Sequence, residues 1–347
     1  AAAYGRLDVV KWLYRSPNVE AMACAAQNEH EDIVQWLFDT GREAFASGEV
    51  SLEPVFLGAA EYDNLDVIQW LHTRYSGSCG TAVMDAAASH GYLDVVKWLH
   101  ENRTEGCSKV AMDKAAGNGH FDVVKYLHEH RSEGCTVDAM DKAAGAGHLE
   151  VVKWLNEHRS EGCSIIAMNC AAQNGHLDVV QWLHANRTEG CTSKAMDGAA
   201  ENGHLDIVKW LHENRSDGCT AAAMDNAARH GHLRVVKWLH KHRSEGCTMR
   251  AMNHASLHGR LNIVKWLHVN RNEGYCTADA IRNGHFDVVF FLRLHREENF
   301  HRCIPTNETL QVPLELQQWL LANCGEVLDR CRFESYKISF GQFMTRT

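Results

Sequence analysis

The sequence predicts an all-α fold, a solenoid of about twelve stacked helix-turn-helix units, and three observations lead to this prediction. Six cysteines lie 28 residues apart, five tryptophans recur at the same interval, and the segment GHLDVVKWLH returns in twelve versions. A fixed period in this range is typical of stacked repeats, none of which buries its apolar face without a neighbour. The periodic residues are Cys107, Cys135, Cys163, Cys191, Cys219 and Cys247, with Trp154, Trp182, Trp210, Trp238 and Trp266.

The twelve copies are regular in the centre of the chain and irregular at its ends, as expected where terminal units face solvent on one side. They begin at Gly5, Glu29, Asp63, Gly91, Gly119, Gly147, Gly175, Gly203, Gly231, Gly259, Gly284 and, badly eroded, Val312. We assign residues 1–324 to the repeat array, with degenerate last repeats in 275–324, and 325–347 to a C-terminal tail with alternating apolar residues. The first copy begins in mid-repeat without a Met, so we expect the array to be truncated at its N-terminus.

The sequence of each central repeat predicts a short first helix. In the segment AMDKAAGAG, Met140, Ala143 and Ala144 form a narrow apolar side that permits close contact between helices. Thr136 precedes this helix, in a position that suits a cap or turn residue. The same pattern recurs in the neighbouring copies.

A longer second helix is predicted from His148 to about Glu161. Leu149, Val152 and Leu155 share one broad apolar face at helical spacing. Gly162 is the residue expected to end this helix in the left-handed conformation. Nothing in the unit indicates a strand.

The string AMDKAAGAGHLEVVKWL, from Ala139 through Leu155, resembles the ankyrin repeat, whose pattern is T-P-L-H-x-A-A-x-x-G-H-x-x-V-V-x-x-L-L. The A-A, G-H, V-V and last Leu match in place across the central copies, over roughly residues 1–324. The resemblance implies an ankyrin-type α-solenoid that serves as a noncatalytic protein-interaction scaffold. Because the family repeat has about 33 residues, we expect its β-hairpin fingers to be mostly lost here. The 34-residue interval that contains Asp39 to Pro54 is the best place for a surviving finger.

The T-P-L-H tetrapeptide of the family is replaced in this chain. Met140 stands at its Leu and Asp141 at its His. A short acceptor at this position can bind backbone N–H groups near a helix start. The family's usual hydrogen-bond network between repeats is open to question here.

Composition and cysteine spacing argue against a nucleic acid partner, a membrane span and disulfide bonds. A net charge of −9 leaves no large basic face, so we expect no nucleic acid partner. No stretch is long and apolar enough to span a membrane. Cysteines placed one per repeat lie roughly a helix layer apart, about 10 Å, beyond the reach of a disulfide. We therefore expect reduced thiols in a monomeric, cytoplasmic protein, with the nucleus as the alternative location.

The many histidines and cysteines do not form a metal-binding pattern. No C-x-x-C pair occurs, and His128 and His130 would diverge on a helix. We interpret the His of each GH pair, such as His148, as a structural residue at a helix start. No cofactor motif or catalytic constellation interrupts the repeats, so we expect no enzyme. The rival from that class is an enzyme whose site lies in an omitted N-terminal part or in the tail.

Two aromatic columns lie along the second helices, one of tryptophans and one of the histidines that follow most Trp-Leu pairs. We interpret the tryptophans as core residues, with an aromatic binding platform as the alternative. The column His72, His100, His128, His184, His212, His240 and His268 has two interpretations: half-exposed amphipathic side chains or a pH-responsive stack.

The residues that differ most between copies lie before and along the outer side of the first helix, which faces the concave groove in proteins similar to ankyrins. Apolar anchors among polar neighbours are expected of a protein-binding patch. We therefore predict a partner-binding face, with drift on an unused surface as the alternative. A second functional alternative is an adaptor whose divergent C-terminal region recruits another machine, such as a ubiquitin ligase. The predicted face comprises Lys109, Lys114, Asp138, Lys142, Ile165, Ile166, Gln173, Lys194, Glu201, Arg229, Met249, Arg250, His254 and Leu257, with Val110 and Val137 also variable.

Overall fold

A computed structural model describes residues 1–46, 50–272, 280, 283–295, 309–313, 318 and 332–336. The chain divides into two compact units. The first contains Ala1–Ala171 with Asp178–Gly190, and the second contains Ala172–Leu177 with Cys191–Thr347. Each unit is built from helical hairpins, and the predicted helical repeat fold is confirmed.

Up to Asn270, the helices alternate between first and second helices of successive repeats. A short 3-10 helix at Ala2–Tyr4 precedes α1. The α-helices are α1 Leu7–Leu13, α2 Val19–Gln27, α3 Glu31–Ala46, α4 Glu53–Glu61, α5 Leu65–His72, α6 Ala82–His90, α7 Leu93–Asn102, α8 Lys109–Gly117, α9 Phe121–His130, α10 Val137–Gly145, α11 Leu149–His158, α12 Ile165–Asn174, α13 Leu177–Asn186, α14 Ser193–Glu201, α15 Leu205–Asn214, α16 Ala221–His230, α17 Leu233–His242, α18 Met249–Leu257, α19 Leu261–Asn270 and α20 Phe286–His295.

The ends of the helices follow from local chemistry. Thr136 caps α10 by accepting a hydrogen bond from the amide of Asp138 at 3.1 Å. Between α10 and α11, Gly147 adopts φ 84°, which lets the chain reverse within three residues. The end of α11 differs from the prediction. The helix stops at His158, where Arg159 turns extended at φ −125°, so Gly162 serves the following loop.

The left-handed turn between first and second helices is kept where glycine is absent. Glu29 and Asp63 occupy its position in the second and third copies, with φ values of 59° and 60°. Residues with a side chain rarely adopt this conformation. The stacking of the repeats therefore fixes the turn even against local preference.

The core of each repeat is made from small residues on the first helix and branched residues on the second. In α10 and α11, Ala143, Ala144 and Val152 are fully buried, and Met140 and Leu155 are at most 2% exposed. Alanines let neighbouring first helices approach closely, and the aliphatic side chains supply about 25 cal/mol per Å² of buried surface.

The long interval before Pro54 does not form the predicted finger where the structure describes it. Its residues extend α3 to 16 residues instead, and Phe45 in the added turn is buried against Phe38 with ring centroids 5.6 Å apart. Phe38 and Phe45 are seven residues apart and so lie on one face of the helix, where their contact favours continuing it. Gly48 lies outside the described residues, and Pro54 stands in the first turn of α4, where its missing N–H would have no helical partner.

Two short strands lie beyond the helices. β1 (Thr309–Pro313) pairs in parallel with β2 (Arg332–Tyr336), in register from Thr309 opposite Arg332. The sequence assigned the start of a twelfth copy to Val312, but this residue lies in β1. The helical copies that the structure describes therefore end with α20. Tyr336 lies in β2, in agreement with an extended tail segment, whereas Ile338 and Phe340 lie outside the described residues.

Candidate protein-binding face

An aspartate on five of the first helices fixes the start of the next first helix. Asp141 accepts hydrogen bonds from the backbone N–H of Ser164 at 2.7 Å and from its hydroxyl at 2.5 Å. Asp141 is only 5% exposed. Hydrogen bonds between repeats are thus present even though the T-P-L-H tetrapeptide of the family is replaced, with the aspartate as their acceptor. The same bonds join Asp85 to Ser108, Asp113 to Thr136, Asp197 to Thr220 and Asp225 to Thr248.

An arginine clamp that sequence reasoning missed fixes the second helices. Arg131 pairs with Glu133 at 2.5 Å, and its second guanidinium nitrogen lies 3.4 Å from Nδ1 of His100 in the preceding repeat. The amide of Cys107 donates to the same Glu133 carboxylate at 3.5 Å. The signal was visible as R-x-E or R-x-D before each Gly-Cys. The other pairs are Arg103 with Glu105, Arg159 with Glu161, Arg187 with Glu189, Arg215 with Asp217, and Arg243 with Glu245.

These clamps set the ionisation of the groups that they enclose. Burial would raise the pKa of Glu105, but hydrogen bonds from Arg103 and the Cys79 amide outweigh it and lower that pKa to about 2. Burial raises the pKa of the periodic thiols to about 11, so they are protonated and poor nucleophiles at neutral pH. The thiols concerned are Cys79, Cys107, Cys135, Cys163, Cys191 and Cys219.

In the first unit, the residues of the predicted face are exposed. Aliphatic side chains stand out of three successive first helices, with exposed fractions of 43% at Val110, 40% at Val137, 43% at Ile165 and 54% at Ile166. The predicted polar residues there are also exposed, namely Lys109, Lys114, Asp138 and Lys142. The ammonium group of Lys142 pairs with Asp138 at 2.8 Å.

In the second unit, the predicted residues divide into two groups. Gln173, Lys194, Arg229, Met249 and Arg250 are exposed. The others, Glu201, His254 and Leu257, are half-buried. Glu201 accepts a hydrogen bond from the side-chain amide of Asn226 on the next first helix at 3.2 Å. Its side chain therefore joins two first helices.

Comparison with known families agrees with this arrangement. The family model described as Ankyrin repeats (many copies) matches residues 84–128, 112–156, 140–184, 196–240 and 224–268. These matches cover just over half of the chain. The chain belongs to the ankyrin repeat family. No curated protein matches it. Ankyrin repeats are generally protein–protein interaction modules, and proteins built from them are typically non-enzymatic scaffolds.

The tryptophans of these ankyrin repeats are not core residues, so that prediction is wrong. Trp98, Trp154 and Trp238 are half-buried because they lie at the flank of the second helix. There each meets a histidine of the preceding repeat edge to face, as Trp154 meets His128 with ring centroids 5.0 Å apart. The histidine column is half-buried, in agreement with the interpretation as amphipathic side chains.

The described part of these ankyrin repeats contains neither a metal-binding cluster nor a membrane-spanning helix. Across the described ranges, no three His, Cys, Asp or Glu side chains are grouped closely enough to hold a metal ion. No helix in the part of the chain that the structure describes is long and apolar enough to cross a membrane.

Proposed function

We propose that this chain is a noncatalytic scaffold that binds partner proteins through the exposed side of its first helices. One observation carries the proposal. Positions that hold the repeats together recur from copy to copy, whereas the exposed positions before and on the first helices change. Packing between like repeats calls for the same residue in every copy, so the exposed positions that change from copy to copy are not set by packing.

The first unit offers the strongest part of this surface. Val110, Val137, Ile165 and Ile166 place aliphatic groups on three successive helices, where neighbouring helix axes lie about 8 to 10 Å apart. Exposed aliphatic side chains flanked by charges are the composition of an interface core with a polar rim. Lys109 and Lys114 supply positive charge beside them, so the partner surface that fits best is apolar with acidic residues at its edge.

The test is partner capture by the full chain, with proximity labelling or pull-down as the readout. We expect Ile165→Asp with Ile166→Asp to remove bound proteins, because two desolvated carboxylates would replace aliphatic contacts. The matched control is Leu13→Asp, an exposed aliphatic on a second helix, 53% exposed. Thermal unfolding of both variants should stay close to that of the parent chain. Equal capture by both variants would refute the assignment of this face.

An adaptor role is the second candidate, and the parallel pair of β1 and β2 favours it because this region departs from the repeat. In this version the repeats hold a client and the C-terminal region recruits a second machine such as a ubiquitin ligase. If deletion of residues 325–347 leaves every captured protein bound, the adaptor role is wrong. We also propose a monomer in the cytoplasm that binds neither nucleic acid nor membrane.

A further inference from the structure

Two neighbouring second helices in the second unit depart from the charge pattern of the other copies. The segment GHLDVVKWLH carries an acid before its valines, and a second acid commonly follows the helix histidine, as Asp206 and Glu213 do in α15. In α17 these two positions are held by Arg234 and Lys241. In α19 they are held by Asn262 and Val269, the latter 79% exposed.

The result is a local concentration of positive charge in a chain whose net charge is −9. Helix α17 carries Arg234, Lys237 and Lys241, helix α19 carries Lys265, and neither helix contains an acidic residue. All four side chains are exposed. Among the residues that the structure describes, none of the four forms an ion pair. By contrast, Lys153 in α11 is paired with Glu150 at 2.8 Å.

A shallow cleft opens between these two helices. Its volume is about 370 Å³, and its lining combines an apolar floor with a basic and amide rim. The indole of Trp266 is held edge to face by His240 at 5.0 Å between ring centroids, and Asn270 donates to the Trp266 carbonyl at 2.8 Å. The floor is therefore preformed. The lining residues are Leu233, Lys237, Asn262, Lys265, Trp266, Val269 and Asn270.

We propose that this cleft is a second binding site, which takes an acidic polypeptide segment of a partner protein. An apolar side chain of the segment packs on Trp266 and Val269, while flanking carboxylates meet Lys237, Lys265 and Arg234. The site lies on second helices and selects by charge. It is thus separate in place from the first-helix face, and it does not rest on that proposal.

The observations favour a polypeptide over the other anionic partners. A nucleic acid or an anionic membrane would meet a chain with a net charge of −9, and only four cations compensate for it here. The exposed aliphatic group of Val269 and the half-buried indole call for an apolar side chain beside the carboxylates. A peptide that alternates such groups presents both at once.

The probe is a short fluorescein-labelled peptide of glutamates around two leucines, titrated against the full chain by fluorescence anisotropy. We expect binding that weakens as salt rises, since exposed charges are screened over about 8 Å at physiological ionic strength. Replacing its glutamates by glutamines or its leucines by serines should weaken binding about tenfold or more.

The decisive variant restores the ordinary repeat: Arg234→Asp, Lys241→Glu, Asn262→Asp and Val269→Glu. The introduced acids match the chemistry of other copies, so the variant should fold normally, and we expect it to bind the peptide about tenfold or more weakly. The control variant Lys97→Glu, Lys125→Glu and Lys153→Glu changes the net charge by the same six units on other second helices. It should leave binding within about twofold, since its sites lie outside the cleft.

Three outcomes would overturn the proposal. The parent chain does not bind the peptide, or both variants weaken binding equally, or an oligothymidine of matched charge binds as tightly and is lost in the same restored variant. The last outcome would assign the cleft to nucleic acid. Capture of partners through Ile165 and Ile166 is measured separately, so failure of one proposal leaves the other standing.

Discussion

At the scale of single residues, Glu105 shows how one carboxylate joins two repeats. It accepts hydrogen bonds from Arg103 at 2.5 Å and from the amide of Cys79 in the preceding repeat at 2.9 Å. Its side chain is only 15% exposed. Charge-assisted bonds of this kind are stronger than neutral ones, which explains why the lowering of its pKa prevails over burial.

This carboxylate predicts a pH dependence of stability. The pKa of Glu105 falls from an ordinary 4.5 to about 2 in the folded chain, so its contribution is complete above pH 4.5 and is lost as the pH falls toward 2. We expect Glu105→Gln to reduce the free energy of unfolding by about 1 to 2 kcal/mol at pH 7. Urea unfolding measured at several pH values should show this difference shrinking in acid.

The matched control is Glu101→Gln, which changes an exposed glutamate in the last turn of α7, four residues before Glu105. Its effect on the free energy of unfolding should stay within about 0.5 kcal/mol at every pH. A difference between the parent chain and Glu105→Gln that stays constant from neutral to acid pH would contradict the argument.

At the scale of helices, close packing between first helices depends on pairing a glycine with a larger residue. A Cβ added to Gly198 would lie 2.9 Å from the Cβ of Gln173 on the preceding first helix. A Cβ added to Gly117 would lie 2.8 Å from the Cβ of Lys142. The partner of each glycine therefore fills the space that a second side chain would need.

A double-mutant cycle tests this pairing. Alanine usually stabilises a helix relative to glycine by about 1 kcal/mol, but we expect Gly198→Ala to destabilise the chain by about 1 to 3 kcal/mol because of the clash. In the Gln173→Gly background the same change should become neutral or stabilising. The measurement is chemical unfolding of all four proteins, and an additive cycle would show that the two positions are not coupled.

The repeat period predicted which segments are helical, because the A-A, V-V and Leu positions must face a core for the units to stack. The exact end of the second helix did not follow, since Gly162 is a strong stop signal in sequence and yet Arg159 leaves the helix first. The core prediction for the tryptophans is wrong because apolarity alone does not distinguish the centre of a helix face from its flank.

The exposed face at Val110, Val137, Ile165 and Ile166 was predictable from variation between copies, which one chain supplies internally. The arginine clamp was visible as a motif but not as an interaction. Its partners lie up to 31 residues away, and only the stacked structure brings Arg131 to His100.

At the scale of the whole molecule, bonds between repeats span constant separations. The Asp-to-Ser or Asp-to-Thr bond always spans 23 residues, and the arginine-to-histidine contact always spans 31. Removal of one complete 28-residue repeat therefore brings equivalent partners together at the new junction. Removal of only part of a repeat leaves these hydrogen-bonding groups without their partners.

Excision of residues 137–164 tests this property, because it places Ile165 directly after Thr136, where Val137 now stands. We expect a folded chain with nearly unchanged helicity per residue and a lower free energy of unfolding, since one interface between repeats is lost. Far-UV circular dichroism and urea unfolding provide the measurement. Excision of only 151–164 should disrupt the fold, and a stable product there would show that the unit is smaller than 28 residues.

The contact between indole and imidazole rings has an optical consequence. His72 meets Trp98 and His212 meets Trp238 edge to face, each with ring centroids 5.2 Å apart. Because each pair joins two repeats, separation of the repeats changes the surroundings of the indole. The unlabelled protein therefore carries its own fluorescent indicator of stacking.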